Sequence, residues 1–463
     1  MRLRTVYARF FRSLNYDYLR ASDDNYTPDP WDDTPNGVDY PFVRLHLEPD
    51  VTTVVGGNES GKSQMLSAIR GALTGVGFAA SDFCRYSDFF DDASMAMPEF
   101  GAVFTDVTPD DVATLEKLTD SSGLGAVTRI AIFRMNTSYK HRVYVEVAGA
   151  WSESINVKVP KLLKDLGLPA IKTIDSDIPL PDTVPLEYLV TGKPVKQVSL
   201  KTVSDFLETL RTNAPWFVSA AAVTQAAAQI HSLVGSAEVA SEVDSATGKQ
   251  YGLASDLLFK VAKVDPSQIK ELREAVLDKN GYAASLTDAI NTKLAKALNF
   301  PHWWSQDSQF ELYVTSTELD LKFMIRDRTG KSYSFDERSD GMKYFLSYFV
   351  QYLAHEPPSD ARAEVLLMDE PDRYLSSSAQ QDLLRIFEDF AHPQDPDRKP
   401  VQVVYVTHSP FLIDKNDARR IRVLEKGEYD EGTRVVGSVA ANHYEPLRSA
   451  FGSFVAETTF TVE

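Results

Sequence analysis

Gly56-Gly57-Asn58-Glu59-Ser60-Gly61-Lys62-Ser63 is the stretch on which the reading of this chain turns. It fits G-x-x-x-x-G-K-[ST], the phosphate-cradling P-loop. Its setting fits as well. The apolar run VTTVV over 51–55 predicts a short buried strand, and residues 64–73 predict a helix. Between them, glycines let backbone N–H groups turn inward onto nucleotide phosphates. Lys62 would reach the terminal phosphates, Ser63 would hold Mg²⁺, and the positive end of the helix dipole would face the anion.

A second half of such a site stands far downstream. Val365-Leu366-Leu367-Met368 reads as a buried strand ending in Asp369-Glu370-Pro371. Asp369 is placed to organise the Mg²⁺ shell through water, and Glu370 to polarise an attacking water. A further strand over 401–406 ends in Thr407-His408-Ser409-Pro410. There His408 is placed to sense the γ-phosphate or the attacking water.

Bulk properties set the class. A chain of 463 residues can hold two or three domains with a large core. A net charge of −18 argues against a generally basic, DNA-coating surface but leaves room for a local basic groove. A lone cysteine, Cys84, excludes an internal disulfide and a cysteine-based zinc site, and fits a reducing, cytoplasmic location. There is no apolar signal core near the start and no run of about 18 apolar residues, so no membrane partner is expected.

Taken in order, residues 5–14 and 42–47 predict strands flanking an acidic, Pro- and Gly-rich loop over 21–40. That loop reads as surface, or more weakly as a metal loop without a Ca²⁺ spacing. Strands are expected over 100–104, 127–133 and 142–147, with a short helix over 110–118, as an antiparallel patch on the nucleotide lobe. Residues 160–201 read as a Pro-rich linker. Within it, Asp175-Ser176-Asp177 is either a metal pair or a polar turn. Residues 202–300 read as helical, including a small-residue helix over 219–230, and Asp265-Pro266 reads as an N-cap followed by proline at the first helical position. A β-meander is expected over 310–335, then the segment 337–343 and a helix with Phe345, Phe349 and Leu353 on one face. The expected domains are 1–150, an N-terminal ATPase lobe; 151–305, a linker and helical insertion; and 306–463, a C-terminal ATPase lobe.

Together these motifs resemble the ABC-type ATPases of the SMC/RecF/RecN class, and within it the OLD (overcoming lysogenization defect) family and related AAA_15/AAA_21 ATPases. The marks are the G-x-N-x-S-G-K-S loop, the D-E-P after its strand, the E-R-S-x-G segment, the V-x-Y-V-T-H-S-P-F-L-I-D run and the tail E-P-L-R-S-A-F-G. The resemblance implies an α/β fold: an ABC/SMC-type P-loop NTPase head with an antiparallel β subdomain and an inserted helical domain. It implies ATP and Mg²⁺ as ligands. It also implies that Ser339 and Gly341 stand in for the signature motif that contacts nucleotide on a second copy, giving an ATP-sandwiched homodimer or higher oligomer. Arg373-Tyr374-Leu375-Ser376 would take the place of the D-loop. The chain departs from L-S-G-G-Q in the signature and has no clear Q-loop glutamine; residues 81–87 take that place, with Asp82 or Arg85 as candidates.

OLD proteins carry a Toprim nuclease domain after the ATPase, and this chain stops near where one would begin. Nuclease chemistry is therefore not expected from this chain: either it is a truncated form, or a Toprim-like nuclease acts in trans, or this member is an ATPase only. The functional expectation is an ATPase that dimerises around ATP and gates a DNA-acting partner in phage defence or DNA repair. The alternatives are a nucleotide-dependent scaffold or sensor with little turnover and, less well supported, a transporter ATPase subunit.

Overall fold

The computed structural model describes residues 1–34, 37–76, 78–90, 97–119, 122–135, 140–158, 165–193, 245–278, 281–307, 309–317, 319–337, 340–358, 362–396, 398–428 and 431–436. The chain divides into two compact units, Met1–Ser176 with His355–Glu463, and Asp177–Ala354.

The first unit holds two sheets. One has the strand order Thr433–Val436, Ile421–Lys426, Val51–Gly56, Gln402–Thr407, Glu364–Asp369, Ala170–Thr173. From Ile421–Lys426 onward every neighbour is parallel, and only the hairpin partner Thr433–Val436 runs the other way. The central strands are buried along almost their whole length, which is why VTTVV, VLLM and VVYV are continuous apolar runs. The other sheet is antiparallel, in the order Val43–His46, Arg2–Arg9, Glu99–Thr105, Val127–Arg134, Lys140–Val147, with Ala150–Trp151 and Ile155–Lys158 paired to the last strand.

The helix Lys62–Thr74 joins the sheets. Met65, Leu66, Ala68, Ile69, Ala72 and Leu73 on it are buried in one core with residues of both sheets, among them Val6, Phe100, Ile130, Val54, Val404 and Leu367. Gly71 faces the Phe100 ring, which a Cβ there would meet at 3.4 Å, ordinary packing contact. Gly75, at φ +70°, ends the helix with its N–H on the Gly71 carbonyl.

The antiparallel subdomain has the expected strands, except that the first runs Arg2–Arg9 and residues 10–14 turn away from it, and the acidic loop differs as well. Rather than lying on the surface, its Trp31 and Asp32 are fully buried. The reason is Arg9, itself inaccessible. It pairs with Glu99 at 2.6 Å and donates to the carbonyls of Asp32, Asp33 and Tyr40 at 3.0, 2.9 and 2.6 Å, with its guanidinium 4.1 Å from the Phe42 ring centroid. Arg20 binds Asp32 from the other side. The loop's carbonyls, with Glu99 of the strand Glu99–Thr105, thus enclose a buried cation.

The second unit is a helical layer on a small sheet. Asp320–Arg326 pairs with Glu311–Thr317 along one edge and with Thr183–Pro185 and Ser332–Ser334 along the other. Helix Pro266–Leu277 opens with the expected Asp265 cap, closed into a capping box by Gln268. Helix Tyr282–Leu298 buries Leu286, Ile290, Leu294 and Leu298, and Asn291 on it brackets Val314, donating to its carbonyl at 3.0 Å and accepting from its N–H at 2.7 Å. Helix Asp340–Leu353 packs Phe345 on Trp304 and Phe349 on Phe300 and Trp303.

The units are cut differently from the sequence-based division. The meander and the Phe345 helix group with the helices, not with the acid-bearing strand: Asn291 of helix Tyr282–Leu298 holds Val314 of the meander, and Phe300, Trp303 and Trp304 pack on Phe345 and Phe349. Residues 160–201 are not wholly irregular: they contribute Ala170–Thr173 to the parallel sheet and Thr183–Pro185 to the small one. The expected helix over 219–230 lies outside the described residues.

Candidate active site

The P-loop leaves the Val51–Gly56 strand through a crowded turn. A Cβ on Gly56 would lie 2.3 Å from the Leu424 carbonyl oxygen and 2.5 Å from Ser60 Oγ. Gly61 has φ +90°, and a Cβ there would meet Thr433 Oγ1 at 2.2 Å. Both positions therefore require glycine. Glu59 adopts φ 62°, a left-handed conformation uncommon for a side-chain-bearing residue. Its carboxylate meets Lys426 Nζ at 2.8 Å, and both side chains are exposed.

Lys62 Nζ folds into the loop, donating to the carbonyls of Gly57 at 2.7 Å and Gly56 at 3.0 Å. Burial lowers its pKa, against the fields of Glu370, Asp369 and Asp372, which raise it. Ser60 Oγ is buried without a hydrogen-bond partner. A loop with an inward ammonium and an orphaned hydroxyl has the donor chemistry of an anion site.

Behind the loop stands a support that spacing alone could not reveal. Ser13 takes Gln64 Oε1 on its N–H at 2.9 Å and on its hydroxyl at 2.6 Å. Thr433 Oγ1 lies 2.7 Å from Ser13 Oγ and 3.0 Å from the Ser60 carbonyl oxygen, and the Thr433 N–H donates to the Ser13 carbonyl at 2.7 Å. Phe10 and Arg12, flanking this contact, have φ 59° and 52°. The start of the chain and the last hairpin thus close on the P-loop from opposite ends of the sequence.

Because the P-loop, histidine and acid strands are parallel neighbours, their C-terminal ends share one edge of the sheet. Asp369 ends the acid strand. Burial raises its pKa, the nearby Ser63 hydroxyl opposing. Glu370 follows at φ 45°, its N–H on the Val406 carbonyl at 3.0 Å. Its Oε1 lies 2.7 Å from His408 Nε2. One residue before the histidine, Thr407 Oγ1 donates to Asp372 Oδ1 at 2.6 Å, and burial raises the Asp372 pKa against that bond.

Lys62, Ser63, Asp369, Glu370 and His408, more than three hundred residues apart in the chain, therefore meet at one sheet edge. Asn58 and Glu59 lie exposed on the loop, while Gly56, Ser60 and Gly61 are buried. Of the signature candidates, Gly341 lies in the first turn of helix Asp340–Leu353 in the second unit, and Ser339 is outside the described residues. Asp82 is occupied by Arg12 at 3.0 Å and by the Ala79 N–H at 2.9 Å. Arg85 is exposed.

The strand bordering the acid strand is Ala170–Thr173, and the chain leaves it through Asp175-Ser176, whose Ser176 hydroxyl reaches the Asp369 carbonyl at 3.2 Å. The D-x-D segment is a turn held at the end of the acid strand, in a segment read from sequence as linker.

The donor set fits Mg²⁺. This ion uses one or two carboxylates and completes its octahedron with phosphate oxygens and water. Asp369 and Ser63, close enough for the hydroxyl to act on the carboxyl's pKa, are a carboxylate and a hydroxyl of that kind. Among the described residues, no group of three or more His, Cys, Asp or Glu is placed to hold a metal, and no helix is long and apolar enough to cross a membrane.

Residues 228–414 match a family model described as "AAA domain, putative AbiEii toxin, Type IV TA system". The match takes in the acid and histidine strands and stops short of the P-loop. No curated protein matches the chain. Among solved structures, the chain is similar to the crystal structure of the SmcHead bound to the C-winged helix domain of ScpA, at 11% identity and a TM-score of 0.37, over 94% of this chain and 97% of that one. The fold is α/β, with a parallel sheet carrying P-loop, acids and histidine, and an antiparallel sheet in the same unit. The AAA-domain match and the site together support ATP binding and hydrolysis in general terms.

Proposed function

We propose that the chain is a Mg²⁺-dependent ATP hydrolase that closes into a dimer around ATP and gates a DNA-acting partner. The observation that carries the hydrolase reading is the 2.7 Å contact between Glu370 and His408 at the sheet edge that also bears the P-loop. Glu370 takes a proton from the attacking water. His408 orients Glu370 through that contact or, once it swings off the carboxylate, donates the same N–H toward the γ-phosphate. Lys62, released from the Gly56 and Gly57 carbonyls, neutralises the terminal phosphates, and the loop N–H groups bind the rest of the chain of phosphates. When bound between Ser63 and Asp369, Mg²⁺ supplies Lewis-acid stabilisation of charge on the phosphoryl oxygens.

Dimerisation and the partner rest on the resemblance. Ser339 and Gly341 of one copy would complete the site of another, so a lone copy would be a poor ATPase. The partner would be a Toprim-like nuclease in phage defence or DNA repair.

The test is Glu370→Gln with ATP and Mg²⁺. Sedimentation should show a stable dimer with turnover lost. Wild-type turnover in this variant would remove Glu370 from the mechanism, and a monomer at saturating ATP would remove the sandwich. DNA binding should weaken steeply with salt, because phosphate contacts release counterions. Its absence at low salt would favour a nucleotide-dependent scaffold binding a protein partner, a reading that the −18 charge also suits.

A further inference from the structure

We infer that Gln380 is a positioning residue for hydrolysis, holding the turn after Glu370 and the turn after His408 in one fixed arrangement. This rests on the proposed roles of those two side chains. Gln380 lies in the first turns of helix Ser377–Ala391 and is only 6% exposed. Its amide is used at both ends. Nε2 donates to the Leu375 carbonyl at 2.9 Å, and Oε1 accepts from Ser409 Oγ at 2.5 Å. Leu375 closes the turn that starts at Glu370, and Ser409 directly follows His408.

The bridge is one of two. On the other side of His408, Thr407 Oγ1 donates to Asp372 and accepts the Ser409 N–H at 2.9 Å. His408 is thus clasped between two cross-links to the acid turn, Thr407–Asp372 and Ser409–Gln380–Leu375. Further along, Tyr405 Oη receives Thr53 Oγ1 and donates to the Leu412 carbonyl, both at 2.8 Å, tying the same turn to the P-loop strand. A carboxamide suits the Gln380 position because it offers a donor and an acceptor on one flat group. Glutamate there would keep the acceptor for Ser409 but set an oxygen against the Leu375 carbonyl.

A displacement of about 1 Å at a reacting group lowers rates on the order of a hundredfold. None of these bonds touches the P-loop residues that bind phosphate. Turnover and nucleotide affinity should therefore separate.

The experiment measures kcat for ATP hydrolysis and Kd for a fluorescent ATP analogue on the full chain, as wild type, Gln380→Glu, Ser409→Ala and Glu370→Gln. Gln380→Glu should lower kcat by about tenfold or more with Kd within about twofold, and Ser409→Ala should do the same to a smaller degree. Unchanged kcat in Gln380→Glu, or a parallel loss of kcat and affinity, overturns the inference. Should Gln380→Glu fail to fold, Ser409→Ala decides by the same criterion. If Glu370→Gln is inactive while Gln380→Glu turns over normally, the positioning role alone falls. If Glu370→Gln turns over normally, both readings fall.

Discussion

His408 Nε2 sits 2.7 Å from Glu370 Oε1, so the proposed base and the proposed sensor are hydrogen-bonded before any nucleotide is considered. Glu370 is held there by a backbone at φ 45° and by its own N–H on Val406, the residue two before the histidine. A side-chain-bearing residue kept in that conformation at such a point is a strained element of a site. His408→Ala should therefore lower kcat on the order of a hundredfold while nucleotide affinity changes little, since proton-transfer groups contribute in that range. Steady-state hydrolysis with a parallel binding titration checks this. An equal loss of affinity would make His408 a binding residue instead.

The P-loop makes a sharper claim on backbone. Gly61 combines φ +90° with a Cβ position 2.2 Å from Thr433 Oγ1 and 2.8 Å from Ser13 Oγ. Gly61→Ala should force Thr433 away from the Ser60 carbonyl and lose nucleotide binding, with about 1–3 kcal/mol of destabilisation. Isothermal titration with ATP and Mg²⁺ and a denaturant midpoint measure the two effects. Binding at wild-type affinity would show that the Ser13–Thr433 support is dispensable.

How much of this site was legible in the chain follows from what kind of signal each part emits. The P-loop, Asp369-Glu370 and Thr407-His408 announce themselves because each couples an apolar strand to a polar end with a chemical task. Ser13, Gln64 and Thr433 emit nothing comparable. They are ordinary polar residues, 51 and 420 positions apart, that matter only because hairpin and first strand converge on the loop. Gln380 is equally silent, reading as one polar residue in a helix. The acidic loop misled for a related reason. Its composition is that of a surface loop, and only distant partners bring it inside: Arg9 takes the Asp32 carbonyl, and Tyr7, Phe133 and Tyr144 of the sheet pack on Trp31. Ala170–Thr173 was hidden by its shortness and by the prolines around it.

Arg9 itself gives a stability prediction. Its guanidinium pairs with buried Glu99 and donates to three backbone carbonyls, so truncation would take the opposite charge from a buried carboxylate and a donor from each carbonyl. Arg9→Ala should destabilise by about 3–5 kcal/mol, the range for breaking a buried pair from one side. Lysine cannot replace the planar fork, and Arg9→Lys should recover only part of it. Urea unfolding of the three proteins measures this. A loss below about 1 kcal/mol for Arg9→Ala would mean that the loop is held by Arg20 and its partners alone.

His141 predicts an acid limb in stability. It lies in strand Lys140–Val147, 1% exposed, with Nδ1 buried and unbonded, opposite Arg134. Burial, helped by the Arg134 charge, lowers its pKa from 6.5 to about 4. The folded protein thus holds this ring neutral where the unfolded chain would protonate it. Its contribution is fully present above about pH 6.5 and is lost progressively as pH falls toward about 4, because the unfolded state binds the extra proton. The amount at stake is on the order of 3 kcal/mol. His141→Phe keeps the ring's bulk and removes the titration. Across pH 4–7 the wild-type denaturation midpoint should fall more steeply than that of the variant, with the two slopes converging above about pH 7. Parallel curves through the whole range would show that the ring accepts its proton in the folded state as readily as in the unfolded one.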